Sequence, residues 1–166
     1  MNFISQAPKI TYDFTAFRAG QIVWRDVFQN TVTVVGKNDL LDKYFAGSGY
    51  TATWYVGLID NANYTTGPQE SDTMVSHTGW VSNVNWSQVT RPSVAWSGAS
   101  GKAKSSSAPC TFSITSNITI VGGFLVNDNT KAGTSGILYS AGSFSQGTRS
   151  LLNGDVLQVN LTVSVA

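Results

Sequence analysis

Polar and apolar residues alternate most strictly near the end of the chain. In LQVNLTVSV, Leu157, Val159, Leu161, Val163 and Val165 fall on one side, and Gln158, Asn160, Thr162 and Ser164 on the other. Period two over nine residues predicts a strand with one buried face. Ahead of it, Asn153-Gly154-Asp155 tolerates positive φ and predicts a tight turn. TATWYVGLI (51–59) sets Ala52, Trp54, Val56 and Leu58 on one face and Tyr55 and Ile59 on the other, so it reads as a strand buried on both sides. CTFSIT (110–115) alternates well. SVAW (93–96), GILYSA (136–141) and GQIVWRDVF (20–28) are further strand candidates. NITIVGGFLV (117–126) is apolar enough for a strand, and Gly122-Gly123 predicts a bulge or bend in it.

A different period governs KNDLLDKYFAG. Leu40, Leu41, Tyr44 and Phe45 form an apolar stripe at helical spacing. Asn38 is placed to cap the helix start, Asp39 and Asp42 suit its positive end, and Gly47 suits its stop. The pattern predicts one short helix near residues 38–46, its stripe packed on the sheets. Two polar stretches, residues 60–72 and the Gly/Ser/Lys-rich 97–109, read as loops.

About seven or eight short strands and one helix predict an all-β fold: a β-sandwich over residues 31–166, with a jelly roll as the preferred version. Residues 1–30 read differently. Tyr12, Phe14, Phe17 and Trp24 show no clear period there, so the segment is expected to be an extended N-terminal arm or an edge strand of the sandwich. In the arm reading, Tyr12, Phe14, Phe17, Arg18, Trp24 and Arg25 are the candidate partner-interface residues, since aromatic residues and arginine serve as binding anchors.

Composition changes the picture by what it lacks. Of 166 residues, 11% are charged, against about 25% in an ordinary domain, and the net charge is +1. The ten basic residues are scattered, so nucleic acid is not an expected partner. No stretch approaches the roughly 20 apolar residues of a membrane helix, and MNFISQAPKITYDF carries neither the basic nor the apolar region of a secretory signal. The triplets starting at Asn63, Asn85, Asn117 and Asn160 then read as chance rather than glycosylation sites. The single cysteine, Cys110, excludes an internal disulfide and reads as a small buried apolar residue.

Candidate chemistry is thin. The one histidine lies in DTMVSHTGW, five residues after Asp72 and three before Trp80. One histidine and no thiolate partners do not make a zinc site. A triad needs an activated nucleophile, and no Gly-x-Ser-x-Gly elbow is present. The stretch therefore reads as a turn entering a strand, with Asp72 and His77 satisfying backbone groups and Trp80 packed inward. A glycosidase would need two carboxylates held about 5–9 Å apart. Glu70 with Asp72, or Asp60 with Asp72, are the candidates, but most of the nine carboxylates sit where turns and caps call for them. Asp128 in VNDNTKAG lacks the glutamate of an EF-hand loop, and no phosphate loop or dinucleotide fingerprint occurs. Trp80, Trp86 and Trp96 with Tyr50, Tyr55 and Tyr64 form a candidate carbohydrate face, although such aromatics more often fill cores. No enzyme activity and no cofactor is expected.

Several separated blocks share an order with one group of proteins. VGKNDLLDKYFAGSGYTATWYVGLID, DTMVSHTGW, VTRPSVAW and GILYSAGSFSQGTRSLLNGDVLQVNLTV together resemble virion structural proteins of tailed bacteriophages, over roughly residues 35 to 166. The resemblance implies a capsid decoration, or cement, protein. Such a protein sits on the capsid surface of the virion, is assembled in the host cytoplasm, and binds major capsid protein and its own copies as a dimer or trimer. The alternative is a glycan- or receptor-binding module of a phage head or tail fibre.

Overall fold

The computed structural model describes residues 8–45, 47, 49, 53–81 and 83–165. Residues 1–7 of the expected arm, together with Tyr50 and Ala52, lie outside these. The chain forms two antiparallel sheets with a hydrophobic core between them, the β-sandwich that the alternating patterns predict.

The first sheet contains the segment expected as an arm. In β1 (Lys9–Arg18) the side chains of Ile10, Tyr12, Phe14 and Ala16 are all fully buried, while Thr11, Asp13, Thr15 and Phe17 face outward. This is period two. Phe17 faces outward and Trp24 belongs to the neighbouring strand, so the aromatics of residues 1–30 taken together show no common period. Ala19 and Gly20 both adopt positive φ, 49° and 79°, which suits a tight hairpin turn into β2 (Gln21–Gln29). Extended arm is thus corrected to hairpin for the described part. β1 lies inside the sheet and β2 forms its edge, because four buried inward residues hold β1 against the core. On its other side β1 pairs with β10 (Val156–Ser164) along nearly its whole length. The far side of β10 is shared by β6 (Cys110–Ser113) and β5 (Ala103–Ser105). The predicted turn before β10 is present, with Gly154 at φ 90°.

The second sheet runs β3 (Thr31–Val32), β8 (Leu138–Ser143), β7 (Ile118–Val126), β4 (Tyr55–Asp60), with β9 (Arg149–Leu151) also paired to β7. One register shift of this sheet lies where Ile59 pairs with Gly122 and Asp60 with Ile120, which places the expected bend at Val121; a second lies between Leu125 and Val126 against β8. SVAW makes only bridges, Ser93 to Tyr55 and Trp96 to Ser106, rather than a strand.

β4 is buried on both faces as its pattern predicts. Val56 and Leu58 join the core between the sheets. Ile59 joins a second cluster on the outer face of the second sheet, where Met74, Trp80, Val81, Val121, Phe124, Val126, Leu138 and Ala141 pack together. Residues 61–81 therefore form a third layer on that face. Arg91, itself buried, holds the loop after β7 by donating to the carbonyls of Asp128 (3.1 Å) and Gly133 (2.6 Å).

Candidate functional site: the outward face of the helix

The helix α1 spans Val34–Phe45 and starts four residues earlier than expected. Thr33, not Asn38, caps it. The Gly36 N–H donates to Thr33 Oγ1 at 3.1 Å and the Lys37 N–H to the Thr33 carbonyl at 3.0 Å. The Val34 N–H, one of the orphan donors of the first turn, donates to the Glu70 carbonyl at 2.7 Å. Gly47, at φ 66°, follows the helix as predicted. The earlier start moves Asp42 from the beginning of the helix to its last turn.

The orientation of α1 overturns a second expectation. Gly36 is its one buried residue, and a Cβ there would come within 2.5 Å of the Tyr139 carbonyl oxygen. Contact at that distance is open only to glycine. The same side of the helix carries Asp39 and Lys43, which form an ion pair at 3.8 Å with both side chains largely covered. Lys43 also donates to the Gly49 carbonyl. The Asp39–Lys43 side thus faces the sandwich, and most of the predicted core stripe faces solvent: Leu41 is 52% exposed and Tyr44 and Phe45 each 78%, while Leu40, 39% exposed, lies nearer the Gly36 side. Val34 is exposed as well. Tyr44 and Phe45 meet edge to face, with ring centroids 4.9 Å apart. With 150–250 Å² per aromatic side chain, this pair presents roughly 300 Å² and the stripe with its leucines roughly 500 Å². The largest apolar patch on a monomer is typically ~300–600 Å² and is often a functional site.

The residues expected at a partner interface are engaged within the chain. Tyr12 and Phe14 are enclosed in the core, which corrects their assignment to a partner surface: the Tyr12 hydroxyl meets Ser140 Oγ at 3.1 Å, and Phe14 packs edge to face on Phe144. Burial raises the Tyr12 phenol above its ordinary pKa. Trp24 packs on Phe144 and donates from Nε1 to the Ser150 carbonyl at 3.2 Å. Arg18 makes a bidentate pair with Asp155 (2.8 and 2.9 Å), and Arg25 one with Asp13 (2.8 and 2.7 Å). Phe17 is half-buried on the outer face of the first sheet. On the edge strand β2, Ile22, Val23 and Val27 are exposed as well.

DTMVSHTGW is a turn entering a 3-10 turn, Thr78–Val81, rather than a strand. Asp72 is buried. Its Oδ2 accepts the Gln69 N–H at 2.8 Å and its Oδ1 accepts from His77 Nε2 at 3.0 Å. His77 stacks on Trp80 with centroids 3.8 Å apart and planes 8° from parallel, and Trp80 is buried against the second sheet. The pair has the look of a base and its orienting carboxylate. Among the described residues, however, no serine, threonine or cysteine side chain hydrogen-bonds the His77 ring, so an activated nucleophile is not assembled there. Nor do His, Cys, Asp and Glu gather in threes to hold a metal ion among those residues. Trp86 is buried too, and Trp96, Tyr55 and Tyr64 are packed against the two clusters. The candidate carbohydrate face is therefore dispersed into cores.

Two buried carboxylates are structural. Arg18 together with the Leu152 N–H holds Asp155 below the ordinary carboxylate pKa, against the upward push of burial. Burial pushes Asp26 upward most strongly, but Arg149 (2.9 Å) and the N–H and hydroxyl of Ser145 outweigh it and hold the group low.

Sequence reasoning found the stripe residues but put them on the wrong side. The missed signal was Gly36 directly after Thr33-Val34-Val35, which marks where a helix can approach a sheet backbone closely. No protein-family model matches the chain, and no curated protein matches it.

Proposed function

We propose that this chain is a structural protein of a phage virion, a decoration or cement protein that binds the capsid shell through the outward stripe of α1. The observation that carries the reading is that stripe: Leu41, Tyr44 and Phe45 presented to solvent by a helix whose Asp39–Lys43 side is turned inward. A helix offering anchors at this spacing suits insertion into a groove of another protein. The rest of the molecule supports a role in binding rather than turnover. The outer faces of β1 and β10 are largely threonine, asparagine and glutamine, and the molecule's polar clusters are committed to holding loops in place. The major capsid protein is the proposed main partner, with contacts between copies of the chain adding to it, and the jelly-roll version of the sandwich belongs to the same reading. Nucleic acid and membrane are not proposed as partners. A glycan platform finds less support, because the tryptophans it would use are buried or packed and the exposed Tyr44–Phe45 pair stands edge to face at 79° rather than flat.

Co-sedimentation tests the reading. Head shells assembled without this chain are mixed with purified protein and pelleted. Saturable binding at a fixed ratio to capsid subunits is expected. Protein that stays in the supernatant at all concentrations rules the role out.

A further inference from the structure

The geometry points to the kind of surface that receives α1: we infer an apolar groove on a different protein, with a lysine or arginine on one rim opposite Asp42. The inference rests on the shell-binding reading above and adds the chemistry of the partner. At 3.6 residues per turn, Val34, Leu41 and Phe45 lie within about 20° of one line along the helix, Asn38 and Asp42 fall about 40° and 80° to one side, and Tyr44 about 80° to the other. Val34, Asn38, Leu41 and Phe45 therefore make the crest, Tyr44 one shoulder and Asp42 the other.

Asp42 is the charge left over. Lys37 pairs with Glu70 at 3.1 Å and Asp39 with Lys43. Asp42 is exposed and has no ion-pair or hydrogen-bond partner among the described residues. It also stands in the last turn, where the negative end of the helix dipole disfavours a carboxylate. An unpaired carboxylate at the wrong end of a helix, bordering an apolar crest, is relieved by a cation brought by whatever covers that crest.

A second copy of the chain fits worse. When two antiparallel helices meet crest to crest about a two-fold axis, the same shoulder of each lies on the same side. The two Asp42 carboxylates would then share one flank of the contact with no cation between them. A concave groove covers both shoulders as well as the crest and so buries more of α1 than a second convex helix does.

The test uses the full chain and head shells assembled without it, with binding measured by co-sedimentation from about 50 mM to about 500 mM NaCl. Phe45→Ala and Leu41→Ser are expected to weaken binding about thirtyfold or more at every salt concentration, as central anchors do, with unchanged circular dichroism. Asp42→Lys is expected to weaken it at least about tenfold at low salt and to converge on the unsubstituted chain at high salt, with Asp42→Asn in between. Undiminished low-salt binding of Asp42→Lys overturns the cationic rim. Undiminished binding of Phe45→Ala overturns the stripe, and in either case binding by the unsubstituted chain keeps the shell-protein reading standing. Absence of binding by the unsubstituted chain removes both. Sedimentation velocity of the free chain supplies the last arm: a dimer that Leu41→Ser dissociates assigns the stripe to a second copy and overturns the inference.

Discussion

If α1 faces outward as described, truncating its stripe is nearly free for folding. Consider Leu41→Ala with Phe45→Ala. Phe45 is 78% exposed, so about a fifth of it is in contact with the molecule. On a side chain of ~200 Å² that is roughly 40 Å², or about 1 kcal/mol at ~25 cal/mol per Å². Alanine returns about 0.5 kcal/mol through its better helix propensity. Leu41, 52% exposed, loses more contact, but alanine keeps part of it, and about 1 kcal/mol is the expected cost. The pair should therefore lower stability by about 1.5 kcal/mol. Were the stripe packed on the sheets as its periodicity alone implies, each truncation would cost about 2–5 kcal/mol and the pair would unfold many domains of this size. Leu58→Ala, within the core between the sheets, supplies the internal reference for that larger cost. Urea unfolding at neutral pH, followed by tryptophan fluorescence and far-ultraviolet circular dichroism, measures all three proteins. A double variant that loses about as much as Leu58→Ala refutes the outward orientation of α1 and the site built on it.

Acid should destabilise the fold through Asp26 and Asp155. Both carboxyls are held low in the native state, so in mild acid the unfolded chain binds protons first. Their contribution is full above the unfolded carboxyl pKa of ~3.9 and is lost as pH falls toward the folded values, so urea midpoints should hold from about pH 7 to about pH 5 and then fall, with a shallower fall in Asp155→Asn. Gly36→Ala should cost about 1–3 kcal/mol by thermal or urea unfolding, because its Cβ must displace the Tyr139 backbone or the helix; an unchanged midpoint contradicts the close approach. Burial pushes the Cys110 thiol up to about 12, so a thiol-specific chromogenic reagent should leave the native protein unlabelled at pH 8 and react fully in urea; prompt labelling without denaturant contradicts the enclosure of β6.

The strands were legible wherever one face met the core and the other met water. β10 and β6 announce themselves by alternation, and β4 by its double burial, because burial on alternate sides is what the residues record. β1 was legible too, in Ile10, Tyr12, Phe14 and Ala16, but aromatics from two strands were pooled and their common period vanished. β5 and β9, at three residues each, are too short to carry a period. The site was half legible. Periodicity fixes that Leu40, Leu41, Tyr44 and Phe45 share a face, yet it contains no information on what that face meets. Orientation is set by long-range contacts, here Gly36 on Tyr139 and Val34 on Glu70. For the same reason nothing in DTMVSHTGW says that His77 lies flat on Trp80 instead of beside a hydroxyl.

The rotation of α1 about its axis follows from contacts at its first turn. Thr33 donates its hydroxyl to the Leu138 carbonyl while its N–H pairs with the Tyr139 carbonyl, so the chain leaves β3 in one direction only. The next residues bring a helix so close to β8 that only Gly36 fits against Tyr139. Rolling the helix to bury Leu41 and Phe45 would put a Cβ into that gap and would carry Asp39 away from the covered place where it meets Lys43. The outer face is thus fixed geometrically before its side chains are chosen, and folding makes little demand on them. Many such free positions elsewhere hold neutral polar residues, as Thr11, Thr15, Gln158, Asn160 and Thr162 do on the outer face of the first sheet, with Ile22, Val23 and Val27 of β2 as apolar exceptions. On α1 they hold Leu41, Tyr44 and Phe45. Large apolar side chains at positions where folding is indifferent, and where solubility argues for polar ones, are what the proposed docking of α1 on another protein would account for.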